Sequence, residues 1–370
     1  MLKAAPDVEI VSERAETCDG RRIRFSELFY DIPGSGHETL RIFARYARPS
    51  RVPGGGLPGL VWVHGGASIG SDEAVIRWAS RGFAAISMDL PGKGGEARHG
   101  SRSEGPDMSD RGIFTVAPSP ANSYLYLCVN AVCRAMSVLA AQPEVDANRL
   151  GLLGYSWGGV IVLLANGVDD RVTSACTVYG AGFIHEESVW VEPWIRNMRQ
   201  SDVRLWARHF DPSSYLESQH GRMLFVSATA DSYYPLRSFL RTWRGARCQK
   251  ALSLALDRNH DLDEPCAAAI VRWFDRTLVQ GDSSPGPAAE RSDGKLVVRA
   301  SERCSVSGVL LATTHGADFA SAGWDSREVQ GRGGVWEVEP PSGDAGYIVT
   351  VIDDAGAAFT AAVGVPGIGE

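Results

Sequence analysis

Residues 149–166 read Arg-Leu-Gly-Leu-Leu-Gly-Tyr-Ser-Trp-Gly-Gly-Val-Ile-Val-Leu-Leu-Ala-Asn, and their order decides the fold. Arg149–Leu153 suits a short strand. Trp157–Asn166 is a longer apolar run that suits a helix, stopped at Gly167. Between them Gly154-Tyr155-Ser156-Trp157-Gly158 fits G-x-S-x-G, a strand-to-helix turn that lifts a serine hydroxyl clear of the backbone. The flanking glycines let the chain turn without Cβ clashes. The helix N-terminus behind the serine favours negative charge developing there. Ser156 is therefore the candidate nucleophile; the competing reading is a plain turn serine.

The flanking segments repeat the strand–helix–strand pattern of a parallel α/β sheet. Upstream, Gly59–His64 and Phe83–Leu90 are continuous apolar runs of the kind buried on both faces of a sheet. Ser71 is the N-cap of the helix between them, and Gly82 its stop. Residues 121–142 carry a helical apolar stripe. Downstream, Val172–Tyr179, Met223–Ala228 and Ala251–Leu256 read as strands, with helices near 236–243 and 264–278. Residues 21–47 read as two strands around the turn cluster Pro33–Gly36, whereas residues 1–20 show little pattern. Two stretches interrupt the alternation, 91–120 and 183–220, the second rich in tryptophan (Trp190, Trp194, Trp206). Long irregular stretches of this kind are functional loops or lids.

A serine nucleophile needs a base, and the base needs an orienting acid. His260 stands directly after the strand 251–256, and Asp231 directly after 223–228. The chain order Ser156, Asp231, His260 matches one known triad order. Asp89 is the reserve acid; Asp257, Asp261 and Asp263 lie too close to the histidine in sequence. His64-Gly65-Gly66-Ala67, at the end of an earlier buried strand, is where backbone N–H groups can meet an oxyanion. Gly66 is the first choice there, Ala67 the alternative, and the Trp157 N–H the partner. Ala67, Tyr155, Tyr234 and Trp190 are candidate substrate contacts, as are His99, His185 and the charged Arg98, Arg102, Glu104 and Asp107. The competing reading for each is packing or a solvated loop.

At VWVHGG (61–66), MDLPGKG (88–94), GYSWGG (154–159) and the Asp231 and His260 loops, the chain resembles the α/β-hydrolase superfamily. Within it, the resemblance is to the dienelactone hydrolase and acetyl xylan esterase-like branch, and it spans about residues 21–280. It implies an α/β-hydrolase fold, a mostly parallel eight-stranded sheet flanked by helices, with a Ser-His-Asp triad and neither cofactor nor metal. Some dienelactone hydrolases use a cysteine nucleophile. Ser156 stands here instead, which favours esterase chemistry over that subgroup's lactone specialism; the expected activity is that of a carboxylic-ester hydrolase cleaving an acyl ester or lactone. An acyltransferase, a peptidase or a non-catalytic binding protein on the same fold are the alternatives.

The remaining sequence sets the frame. Residues 1–20 are expected to be a leader, 21–280 the catalytic domain, 281–294 a linker and 295–370 a small all-β, Ig-like sandwich domain. With 37 Lys and Arg against 44 Asp and Glu, the net charge of −7 disfavours nucleic-acid or anionic-membrane binding. The expected partner is a small-molecule ester; a homo-oligomer is compatible with the pattern. The seven cysteines are odd in number, scattered and without a CxxC pair, which fits a reducing cytoplasm. The first twenty residues lack the apolar stretch of a secretory signal.

Overall fold

The computed structural model describes residues 3–4, 6–34, 38–92, 101–106, 110–282, 284, 286–300, 305–314, 323–341 and 345–365. One large sheet dominates. Its strands are β1 (Val8–Cys18), β2 (Arg21–Pro33), β3 (Thr39–Pro49), β4 (Leu57–Val63), β5 (Ala84–Met88), β6 (Val145–Tyr155), β7 (Val172–Val178), β8 (Arg222–Ala228) and β9 (Lys250–Ala255), in the spatial order β1-β2-β3-β5-β4-β6-β7-β8-β9. β1, β2 and β3 pair antiparallel, and β3 meets β5 antiparallel. From β5 to β9 every pairing is parallel.

Among the described residues the sheet thus has nine strands, not eight. The extra one is β1, which takes up most of the supposed leader. Its side chains are mostly exposed on both faces, so no apolar alternation marks it in the sequence. It is an edge strand, and its charges Glu9, Glu13, Arg14 and Glu16 keep that edge soluble.

The helices flanking the sheet are α1 (Asp72–Ser80), α2 (Asp110–Ile113), α3 (Tyr124–Ala140), α4 (Trp157–Asn166), α5 (Ile184–Glu187), α6 (Gln200–Phe210), α7 (Leu236–Gly245) and α8 (Glu264–Phe274). Ser71 caps α1 by accepting from the Ala74 N–H at 3.1 Å, as expected. α8 ends earlier than the sequence suggests and continues as a π-helical turn, Asp275–Val279. No helix among the described residues is long and apolar enough to cross a membrane.

β4 lies between β5 and β6, so the chain departs from β4 to one side and returns on the other. Ligands of open α/β sheets bind at such a switch point, beyond the carboxyl ends of the strands. Here those ends carry His64–Ala67 and Ser156.

The C-terminal residues form two smaller sheets. One has the order β10 (Ala289–Ser292), β11 (Lys295–Arg299), β14 (Val335–Val338). The other has β13 (Asp325–Glu328), β12 (Gly308–Thr314), β15 (Gly346–Ile352), β16 (Ala358–Gly364). Leu296, Val298, Val309, Leu311, Val338, Val349 and Val351 pack between them. β10 lies inside the stretch expected to be linker; it pairs with β11 through a tight turn. The module is not loosely tethered. Trp324, Ala357 and Phe359 are buried in the core of the large domain. Ser253 Oγ of β9 donates to the Ala358 carbonyl at 2.7 Å, and Arg272 of α8 meets Asp353 at 3.1 Å.

Candidate active site

β6 ends at Tyr155, and Ser156 turns the chain directly into α4 with φ 56° and ψ −120°. A left-handed φ at a serine is strained backbone, the kind retained where function fixes it. The glycines around it are required by contact. A Cβ on Gly158 would stand 2.3 Å from the Val63 carbonyl oxygen, and one on Gly154 2.2 Å from that of Gly158. α4 therefore seats its first turn against the end of β4, and no side chain fits between.

The structure brings His260 and Asp231 together. His260 Nδ1 lies 2.8 Å from Asp231 Oδ2. The carboxylate can only accept, so Nδ1–H donates and Nε2 carries the free lone pair. Asp231 is 1% exposed. Its other oxygen, Oδ1, accepts from the Tyr233 N–H at 2.8 Å and the Tyr234 N–H at 3.0 Å. Three donors thus fix the carboxylate. The imidazole is clasped by rings: Tyr179 at 4.3 Å, Tyr233 at 4.8 Å and Tyr234 at 6.2 Å between centroids. His260 itself has φ 50° and Asp257 φ 54°, so its loop is tightly bent.

The loop after β4 lies against the nucleophile. A Cβ on Gly65 would be 3.2 Å from Ser156 Cβ, and one on Gly66 3.0 Å from Trp157 Cδ1. Ala67 turns the loop with φ 56°. Buried His64 holds it: Nε2 accepts from the Leu90 N–H at 3.0 Å, which leaves the proton on Nδ1 to donate to the Gly65 carbonyl at 2.7 Å. Among the described residues, nothing accepts from the N–H of Gly66 or Trp157. Both are free to meet an oxyanion.

The reserve acid is engaged elsewhere. Asp89 pairs with Arg45 and accepts from the Gly70 N–H at 3.0 Å and the Arg102 N–H at 2.9 Å. Asp263 caps α8 through the Cys266 N–H, and Asp257 accepts from the Trp324 N–H of the C-terminal module at 3.1 Å. Asp257 thereby couples that module to the His260 loop.

The two insertions meet over the sheet edge. Trp206 is 1% exposed and anchors them: its indole N–H donates to the Ile113 carbonyl at 3.0 Å, and its ring packs on Phe114 at 5.0 Å. Trp190 instead faces the site, 4.7 Å from Trp157 and 5.2 Å from Tyr234. Trp194 lines a cavity of about 520 Å³ with Phe114, Asn197, Met198, Arg199 and Asp202. The tryptophans thus divide between packing and lining. Tyr155, read as a substrate contact, packs on Trp62 at 5.8 Å. His185 bonds Asp211 at 2.9 Å. That bond raises the His185 imidazole above its ordinary value, with burial working against it. Burial alone would raise the Asp211 carboxyl, but the His185 and Ser213 hydrogen bonds outweigh it and hold it low. Glu104 accepts from the Arg41 N–H at 2.9 Å, and Arg102 pairs with Glu27 at 3.5 Å. Arg98, His99 and Asp107 lie outside the described residues.

Sequence reasoning missed Tyr179 and Phe114. Tyr179 had a signal, its place at the carboxyl end of a sheet strand. Phe114 had none, because it reaches Trp157 (6.1 Å) only through the folding of an insertion.

Parallel strands in this order, a serine elbow at the switch point and an acid–histidine pair on the next strand ends are the features that decide the family. The chain has the α/β-hydrolase fold. Residues 21–185 match the family model of the acetyl xylan esterases (AXE1). That match and the shared fold together indicate a carboxylic-ester hydrolase. Solved structures agree on the fold. An acetyl xylan esterase from Paenibacillus sp. R4 is 22% identical with a TM-score of 0.61, covering 73% of this chain and 88% of that one. Acetyl xylan esterase 1 from Thermoanaerobacterium sp. JW/SL YS485 is 18% identical with a TM-score of 0.60 and the same coverage, 73% and 88%. A puromycin-hydrolyzing peptidase of Mycobacterium tuberculosis is 17% identical at 0.52, covering 72% of this chain and 43% of that one. Esterases and a peptidase thus share this hydrolase's fold, so the acceptor bond is a matter for the site.

Proposed function

We propose that this hydrolase is a serine esterase in which Ser156 is the nucleophile, His260 the general base and Asp231 the group that orients it. The substrates are esters of small acyl groups, acetylated carbohydrate foremost. The observation that carries this reading is the His260–Asp231 bond of 2.8 Å, formed on the strand ends beside a serine held at φ 56°.

The residues then take these parts. His260 Nε2 accepts the Ser156 proton as Oγ attacks the ester carbonyl, and the Asp231 carboxylate stabilises the imidazolium. The Gly66 and Trp157 N–H groups receive the oxyanion, with the N-terminus of α4 behind them. The imidazolium returns the proton to the departing alkoxide. Water, activated by the same imidazole, releases the acid and restores Ser156. In the resting enzyme the Ser156 side chain faces the Tyr234 hydroxyl; catalytic hydrogen bonds commonly tighten only once substrate is bound.

The small acyl group is argued from the walls. Trp157, Trp190 and Tyr234 pack against one another beside Ser156, with centroids 4.7 to 6.4 Å apart. The cavity past Phe114 offers Asn197, Arg199 and Asp202 for the hydroxyls of an alcohol. The carbohydrate assignment follows the acetyl xylan esterase match.

The test is Ser156→Ala measured on 4-nitrophenyl acetate and on acetylated xylo-oligosaccharides. Folded mutant enzyme should lose at least about 10³-fold in kcat on both. Retained turnover overturns the nucleophile. Wild-type activity on the aryl ester with none on the oligosaccharide overturns the substrate class alone.

A further inference from the structure

Tyr234 holds something the triad does not use. Its side chain is 1% exposed. The ring is fixed on three sides, by Trp190 at 5.2 Å, by His260 at 6.2 Å and nearly parallel (22°), and by Trp157 at 6.4 Å edge-on. Its own N–H is tied to Asp231. The phenol therefore cannot swing away. Its Oη is buried and makes no hydrogen bond of normal geometry with any described residue. The polar side chain it faces is that of Ser156.

A buried hydroxyl without a partner destabilises the fold, and phenylalanine would fill the same space without that burden. Unpaired buried donors mark places where the partner arrives with the ligand. Burial pushes the phenol well above its ordinary range, Asp231 adds to this, and the Ser156 hydroxyl, near enough to hydrogen-bond though not aligned for it, opposes it. The group is thus a donor that keeps its proton.

Resting on the reading of Ser156 as nucleophile, we propose that Tyr234 is a further catalytic residue: its Oη–H donates a hydrogen bond to the oxyanion formed on the carbon that Ser156 Oγ attacks, a third donor beside the Gly66 and Trp157 amides. No bond to the phenol forms or breaks; the hydrogen bond closes as the carbonyl oxygen gains charge and opens when the acyl group leaves. Because the donor is unpaired before substrate binds, its contribution falls on the chemical step rather than on ground-state binding.

The experiment is Tyr234→Phe in the full chain, beside Ser156→Ala, with 4-nitrophenyl acetate and ethyl acetate as substrates. The expected result is a fall of roughly 10²-fold in kcat, KM within about threefold, the same loss on both esters, and a Tm unchanged or raised. A boronic acid that forms a tetrahedral adduct on the serine should bind the variant about tenfold or more weakly. If Tyr234→Phe keeps kcat within about twofold, or loses only KM, while Ser156→Ala is inactive, the Tyr234 role is overturned and the nucleophile stands. If Ser156→Ala is active, both fall. A lowered Tm with unchanged boronate affinity makes the hydroxyl structural, which also overturns it.

Discussion

Asp231→Asn replaces one oxygen by an NH₂ group, and the structure dictates where that group must go. Oδ1 accepts from two backbone N–H groups, those of Tyr233 and Tyr234 at 2.8 and 3.0 Å. An amide nitrogen cannot take that place, because three donors would then face one another. The amide oxygen stays with the backbone, and the NH₂ turns to His260 Nδ1. That nitrogen must now accept, so the imidazole proton moves to Nε2. The lone pair that should take the Ser156 proton is gone, although every hydrogen bond is satisfied and the volume is unchanged. A triad with the wrong tautomer is slower by about 10⁴ in kcat, or about 5.5 kcal/mol in barrier. Stability should change by less than about 1 kcal/mol, since no polar group is left unpaired. Steady-state turnover of 4-nitrophenyl acetate, with thermal unfolding on the same preparation, measures both. A folded Asp231→Asn enzyme within tenfold of the parent would refute the orienting role. A large loss of Tm would refute the argument about the backbone donors.

Two further outcomes concern elements outside the triad. The His185–Asp211 pair ties the start of the second insertion to its later part; its histidine is held above its ordinary value and its aspartate below. The histidine's contribution is complete at mildly acid pH and is lost as pH rises through the raised value; the aspartate's is lost only as pH falls through its lowered one. The Tm difference between the parent and His185→Asn should therefore be largest near pH 6 and shrink by pH 9, and a flat difference counts against the ion pair. Removing residues 287–370 uncovers the face of β9 and α8 that Ala357, Phe359 and Trp324 cover, and frees Arg272 from Asp353. The shortened chain should aggregate or lose several degrees of Tm, and it should lose kcat as well because Asp257 no longer receives the Trp324 N–H. An unchanged, monomeric and fully active fragment would show that the module does not brace the His260 loop.

The apolar runs, the G-x-S-x-G turn and the order of Ser156, Asp231 and His260 are legible in the linear chain because each depends on local chemistry. A strand buried on both faces must be apolar throughout. A serine elbow must have small neighbours. Groups that act together at one edge of a parallel sheet stand just after the carboxyl ends of its strands. β1 escaped because an edge strand exposed on both faces has no pattern to show, and β10 because it is four residues long. Tertiary structure decided which competing groups do the work. Asp89 and Asp231 look alike in sequence, yet one meets Arg45 and the other His260. Trp206 and Trp190 look alike, yet one anchors the insertions and the other lines the site. Tyr234 carries an unpaired hydroxyl beside Ser156 only because the rings of Trp157, Trp190 and His260 close around it. Sequence fixes what each segment must bury; which side chains then meet depends on long-range contacts that no local pattern records.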